Sequence, residues 1–155
     1  MSGQVSFADL ATEFYTNLYS DNRYRTGDKK VHKAEDLESV KIVVEGDVSV
    51  EEATKSIASG KAMAAGVILT KDIVNAPHNA LNSESLANTA REVAEESGGT
   101  ITIKVLGKEE CEERGMGAYL GVARGSETAP QFIHMTYTPK SGKARYVDCL
   151  TLSSL

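Results

Sequence analysis

Phe7, Leu10, Ala11, Phe14 and Leu18 fall on one face of a 3.6-residue period, and Ser6 with Asp9 in front of them resembles a capping box with Asp in place of Glu. The spacing predicts an amphipathic helix over about 7–20. Residues 21–36, DNRYRTGDKKVHKAED, have no apolar period and carry clustered charge, so they read as a surface connection. VKIVVE (40–45) is a β-branched run between polar segments and predicts a buried strand. Ser49 and Glu52 form a second capping box, after which the chain stays helix-compatible as far as Val74. In that stretch Ala53, Ile57, Gly60, Ala64 and Val67 line one face, and Ala58, Ala62, Ala65, Leu69 and Ile73 line another. Two apolar faces built from small residues predict a helix packed closely on both sides.

Pro77 ends this helix, because proline offers no N–H and pushes the residue before it out of the helical region. Asn82 or Ser83 caps the next one, whose apolar face is Leu86, Ala87, Ala90, Val93 and Ala94 and which closes at Gly98-Gly99. TITIKVL (100–106) alternates at period two and predicts a strand. KEECEER (108–114) predicts a short acidic helix, the glycine-spaced GMGAYLGVARGS follows, and QFIHMTY (131–137) predicts another strand. Alternation of helix and strand argues for the α/β class, a sandwich with a mainly parallel sheet.

Composition adds limits to this outline. The 155 residues suit one domain, or one domain with part of a neighbour, and a net charge of −5 disfavours nucleic acid or an anionic membrane as partner of the whole chain. Cys111 and Cys149 are too few for a disulfide framework and have no C-x-x-C spacing, which points to a reducing compartment. No apolar run reaches the ~18 residues of a membrane span, and the start has neither a basic n-region nor an apolar h-region. A cytoplasmic location is the expectation, with an organelle as the alternative if the natural start lies upstream of Met1.

Motifs for chemistry are sparse. His32, His78 and His134 stand 46 and 56 residues apart, and none has a second ligand-type residue at zinc-type spacing. Gly115, Gly117 and Gly121 spell G-x-G-x-x-x-G, one residue off the dinucleotide fingerprint and behind an acidic helix instead of a strand, so they read as glycines that let a helix or turn approach a sheet closely. Arg23, Arg25, Lys29, Lys30 and Lys33, with Tyr24 between the arginines, superficially suit phosphate contacts and base stacking, but Asp21, Asp28, Glu35 and Asp36 dilute them and a solvated loop is the preferred reading. The acidic run EECEER (109–114) spreads its carboxylates around a helix. Spacing alone therefore assigns no active site.

Order along the chain carries more. Asp72 to Pro77, Asn79 to Ser83, Gly115 to Ser126 and Phe132 to Pro139 resemble, in sequence and succession, the D-L-V-N-x-P, N-x-L-T-P, G-M-G-x-x-L-x-V-x-x-G-S and strand-Tyr-x-Pro segments of the leucyl aminopeptidase family, also called cytosol aminopeptidases. The similarity is strong over about 60–139, and LYSDNRYRTGDKK resembles the helix and loop that precede it in plant-type members.

The resemblance implies that residues 1–49 are the end of a small N-terminal α/β domain, 50–76 the interdomain helix, 77–143 the first helices and strands of the catalytic α/β domain, and 144–155 a divergent tail. It implies aminopeptidase activity through two divalent metal ions (manganese, zinc or magnesium), peptide substrates and a homo-hexamer, with neither membrane nor nucleic acid as partner. The family's metal ligands begin in a glycine-rich stretch after the point corresponding to Lys143, where this sequence reads ARYVDCLTLSSL. No catalytic, metal or substrate-binding role is therefore carried onto any residue here, Asp148 included. The expectation is a fragment that is inactive by itself. The alternative is a non-catalytic isoform that binds full-length subunits.

Overall fold

The structure is a computed structural model that describes residues 6–31, 37–43 and 47–140, and the backbone of 145–148. The chain forms two compact units, which meet in sequence at Ala76 and Pro77.

Unit 1 is a pair of helices, α1 (Phe7–Leu18) and α2 (Val50–Asn75), with a 3₁₀ turn at Gly27–Lys29 between them. Both helices begin where the side-chain caps place them: Ser6 Oγ accepts the Asp9 N–H at 3.0 Å and Ser49 Oγ accepts the Glu52 N–H at 3.3 Å. Each hydroxyl satisfies one of the N–H groups that a helix start leaves without a partner. The helices pack through small residues, with Ala11 and Ala64 buried. A Cβ at Gly60 would overlap the Ala8 carbonyl oxygen, so only glycine permits this approach. Thr12 Oγ1 then reaches across to the Gly60 carbonyl at 3.1 Å while also donating to Ala8 O within α1 at 2.8 Å.

Two expectations for this part of the chain differ from the structure. Residues 40–43 of the predicted strand form no regular element, and residues 44 and 45 lie outside the described residues. The second small-residue face of α2 is largely solvent-exposed at Ala58, Ala62 and Ala65. Apolar residues on a helix face register what that face can pack against, and on this face only Leu69 and Ile73, toward the end of α2, are half-buried.

Unit 2 contains α3 (Ser83–Glu96), β1 (Ile101–Leu106), α4 (Lys108–Glu113), α5 (Gly117–Ala123), β2 (Phe132–Tyr137) and β3 (Arg145–Asp148). Asn82 and Ser85 make a reciprocal capping box at the start of α3: Asn82 Oδ1 accepts the Ser85 N–H at 3.0 Å and Ser85 Oγ accepts the Asn82 N–H at 2.8 Å. Ala87 and Ala94 lie two turns apart on one face of α3 and are buried with Leu106, Cys111 and Ile133 as the core.

The α/β class holds, but the sheet is antiparallel instead of mainly parallel. Its order is β1-β2-β3, with Ile101 opposite Tyr137 and Leu106 opposite Phe132 in the first pair, and His134 opposite Asp148 in the second. A six-residue strand is about 20 Å long, whereas a six-residue helix such as α4 advances only about 9 Å. Two short helices turning between the strands, α4 and α5, deliver the chain to the end of β1 that it has just left, and β2 runs back beside it.

Candidate functional site

Three places in the two units bring polar side chains together. In unit 1 the last turns of α2 meet the segment that leaves α1. Tyr19 Oη donates to Asp72 Oδ1 at 2.7 Å and accepts from Asn75 Nδ2 at 3.3 Å. Arg23 Nη2 bonds the Asp72 main-chain oxygen at 2.9 Å, lies 3.0 Å from Asp72 Oδ1, and lies 2.9 Å from Asp21 Oδ2. Arg23 Nε adds a bond to Asp21 Oδ1 at 2.9 Å, so the guanidinium grips that carboxylate with two parallel donors. Lys71 Nζ donates to Thr16 O at 3.0 Å and sits 5.3 Å from the Tyr19 ring centroid. The Asp72 carbonyl is one of the last four of α2, which have no partner within the helix, and Arg23 supplies one.

This arrangement perturbs its members. The Arg23 hydrogen bonds hold the Asp21 carboxyl down at about 2 against partial desolvation, and Asp21 in turn raises the Arg23 guanidinium. Loss of solvation raises the Tyr19 hydroxyl; the Asn75 bond opposes this, and the bond to Asp72 adds to it.

In unit 2 the glycine-spaced segment is resolved into a helix end and a new helix. Gly115 takes φ +69° just past α4, with its N–H on Glu112 O at 2.9 Å and the Met116 N–H on Cys111 O at 3.0 Å. Those two bonds define a Schellman cap, which is why glycine stands there. Gly117 and Gly121 belong to α5, and a Cβ at either would meet nothing within 4 Å. The expected close approach to a sheet is therefore absent at these two residues among the described residues. They line an open depression of about 600 Å³ that also includes Lys108, Glu112, Arg124 and Ser126. Beside it, the buried Ser83 hydroxyl donates to Ala129 O at 2.7 Å, tying the start of α3 to the segment that enters β2.

The third place is the loop 22–31, where the basic cluster is divided. Arg23 is committed to Asp21 and Asp72, whereas Arg25, Lys29 and Lys30 are exposed. Lys33 and His32 lie outside the described residues.

None of these places fits a pair of divalent cations. Among the described residues no three His, Cys, Asp or Glu side chains come together as a metal would need. His78 is exposed after Pro77, and His134 lies half-buried on β2, opposite Lys104 and Asp148 in register. On α4, Glu110 accepts the Gly107 N–H at 3.2 Å and Glu112 faces Lys108 at 3.9 Å, so two of the acidic run have local partners. Cys111 is a free thiol, fully buried, and pushed up by that burial and by the Glu110 charge, with Arg114 opposing. Cys149 lies outside the described residues.

The link between Tyr19, Arg23 and Asp72 is not predicted by the sequence reading. Its one sequence signal is the charged pair Lys71-Asp72 in the last turns of the helical stretch, and nothing in a single chain pairs Asp72 with residues about fifty positions earlier.

Comparison with known proteins gives these features a context. Residues 68–149 match the family model described as the cytosol aminopeptidase family, catalytic domain. The chain is 39% identical over 156 residues to a probable cytosol aminopeptidase of Rippkaea orientalis, a match covering 95% of this chain and 30% of that protein. Among solved structures it is similar to a mutant of tomato leucine aminopeptidase, with TM-score 0.75, 33% identity, and coverage of 90% of this chain and 28% of that one. It is also similar to the bottromycin maturation enzyme BotP in complex with Mn, with TM-score 0.66, 25% identity, and coverage of 86% and 26%. The chain thus spans about 30% of the length of the curated relative it matches.

Proposed function

The chain belongs to the cytosol aminopeptidase family, and from that premise we propose that it forms part of an enzyme releasing N-terminal amino acids from peptides. In this reading residues 1–49 close a small N-terminal α/β domain, 50–76 connect the domains and 77–143 open the catalytic domain; the family match runs on to residue 149, into the 144–155 stretch read as a divergent tail. The observation that carries it is the catalytic-domain match over residues 68–149. The identity that continues through 95% of the chain adds support.

Within such an enzyme these residues build and position; they do not react. The α3 cap, the Ser83–Ala129 bond and the Schellman turn at Gly115 hold the helices that pack against the antiparallel pair β1 and β2. A pair of divalent cations, manganese, zinc or magnesium, would supply Lewis acidity and an activated water in the enzyme as a whole. The described residues do not fit such a pair, so no step is assigned to them; the reading takes the polypeptide of these 155 residues to be inactive by itself.

The test has two arms. The purified 155-residue chain, supplied in turn with each of the three metals, releases no leucine from a chromogenic leucyl amide beyond the metal-only blank; release proportional to chain concentration would overturn the assignment. In the second arm, residues 1–143 replace the matching segment of tomato leucine aminopeptidase. Retained leucine release is expected, and a folded but inactive chimaera would show that this segment does not serve as an aminopeptidase segment.

A further inference from the structure

We propose that residues 22–31 form a preorganised cationic docking loop for a carboxylate-rich segment of another polypeptide, separate from any role in peptide hydrolysis. The loop is closed at its base by one side chain. Asn22 Nδ2 donates to Val31 O and Asn22 Oδ1 accepts the Val31 N–H, both at 2.9 Å, so the amide pairs with the main chain as a strand would. Its tip is a 3₁₀ turn over Gly27–Lys29, with Gly27 at φ +56° and the Lys30 N–H on Gly27 O at 3.1 Å. Ends held together around a compact turn are the construction of an Ω-loop, a surface element often used for recognition.

The charges divide between anchor and display. Arg23 and Asp21 neutralise one another at the base, where Arg23 also holds the end of α2. This leaves Arg25, Lys29 and Lys30 exposed within six residues of one loop, accompanied by the single exposed carboxylate Asp28. Neither lysine side chain makes a hydrogen bond or ion pair with the described residues, and the Arg25 charge acts on Asp21 only through space. In a protein of net charge −5 this is a local reversal of sign, and complementarity selects a negatively charged partner. Holding the loop closed in advance lowers the ordering cost of binding.

The details favour carboxylates over nucleic acid. The Arg23 guanidinium lies 5.3 Å from the Tyr24 ring centroid and takes one face of that ring, so the loop offers a single aromatic face for a base where a stacking platform needs several rings. Three displayed cations neutralise few phosphates, and the net negative chain opposes the rest of a polyanion. An acidic peptide presenting a few carboxylates within a short span suits three cations displayed within six residues.

Fluorescence anisotropy of the 155-residue chain with a labelled oligoglutamate peptide, and separately with an oligothymidylate of equal charge, tests this. The oligoglutamate is expected to bind more tightly than the oligothymidylate, with affinity falling as salt rises. The pair Lys29→Glu and Lys30→Glu, exposed residues whose exchange leaves the helices untouched, weakens it at least about tenfold. Asn22→Ala opens the loop without changing its charge and weakens binding about threefold or more. Equal or tighter binding of the oligothymidylate, no binding of either probe, or an Asn22→Ala variant that binds as well as the parent would each overturn the proposal.

Discussion

Alanine at Gly60 and alanine at Gly66 are the same substitution in the same helix, and the structure predicts opposite signs for them. At Gly60 the new methyl group falls on the Ala8 carbonyl oxygen and stands 2.9 Å from both the Ala8 carbonyl carbon and Ala11 Cβ. Two of those three atoms are backbone, so relief requires moving α1 itself. Overpacking against a backbone that cannot rotate away sits at the upper end of the usual range, about 3 kcal/mol. Separating the helices also removes the 3.1 Å Thr12–Gly60 bond, worth about 1 kcal/mol. Alanine returns about 1 kcal/mol of helix propensity. The net loss is about 3 kcal/mol, equivalent to roughly a hundredfold in the closed-to-open equilibrium of the pair. At Gly66 a Cβ meets nothing within 4 Å, so only the propensity acts and stability rises by up to about 1 kcal/mol, some fivefold. Hydrogen-exchange mass spectrometry on peptides from α1 and α2 reads both changes locally, whatever unit 2 does. Exchange in those peptides is expected about a hundredfold faster in Gly60→Ala and a few-fold slower in Gly66→Ala. Parent-like or greater protection in Gly60→Ala would refute the close approach of the two helices.

The anchor at the base of the loop makes a pH prediction. Asp21 titrates at about 2 in the folded chain against an ordinary 3.8; a depressed folded-state value means its contribution is complete above about pH 4 and is lost as pH falls toward 2. Following the Asp21 carboxyl carbon by NMR should show that midpoint, and Arg23→Ala should return it toward 3.8; a midpoint indifferent to Arg23 would refute the pairing. In unit 2, Ser83→Ala removes a buried hydroxyl and its 2.7 Å bond to the carbonyl of the exposed Ala129, the loss of one ordinary hydrogen bond at about 1 kcal/mol. Urea unfolding followed by far-UV circular dichroism measures it, and a change below about 0.5 kcal/mol would place the Ala129 oxygen in contact with another donor.

Much of the local structure is legible in the sequence because its causes are local. Ser6, Ser49 and Asn82 each precede an apolar period, and each caps its helix through a backbone N–H three residues on. Pro77 limits α2 to Asn75 by the same kind of short-range constraint. Strand direction has no such local cause. ITIKVL and FIHMTY alternate identically whether they run together or opposed, and the antiparallel register is decided by the two short helices between them. The predicted strand at 40–45 fails in a related way: β-branched residues permit a strand, but a strand exists only where another offers its edge, and residues 40–43 have none among the described residues.

The same distinction explains the functional reading. Arg23 and Arg25 are near neighbours in one basic run, and a linear count treats them as one patch. Folding assigns them different partners because Asp72, about fifty residues later, captures the first and leaves the second on the loop. Gly60 and Gly117 are likewise both helical glycines, one required by the backbone of a neighbouring helix and the other standing over open space. The family resemblance was legible because it lies in the order of whole segments, and order survives without knowledge of contacts. Which charged residue anchors and which is displayed depends on contacts alone, so the docking loop emerges only after Arg23 has been removed from the sum of its charges.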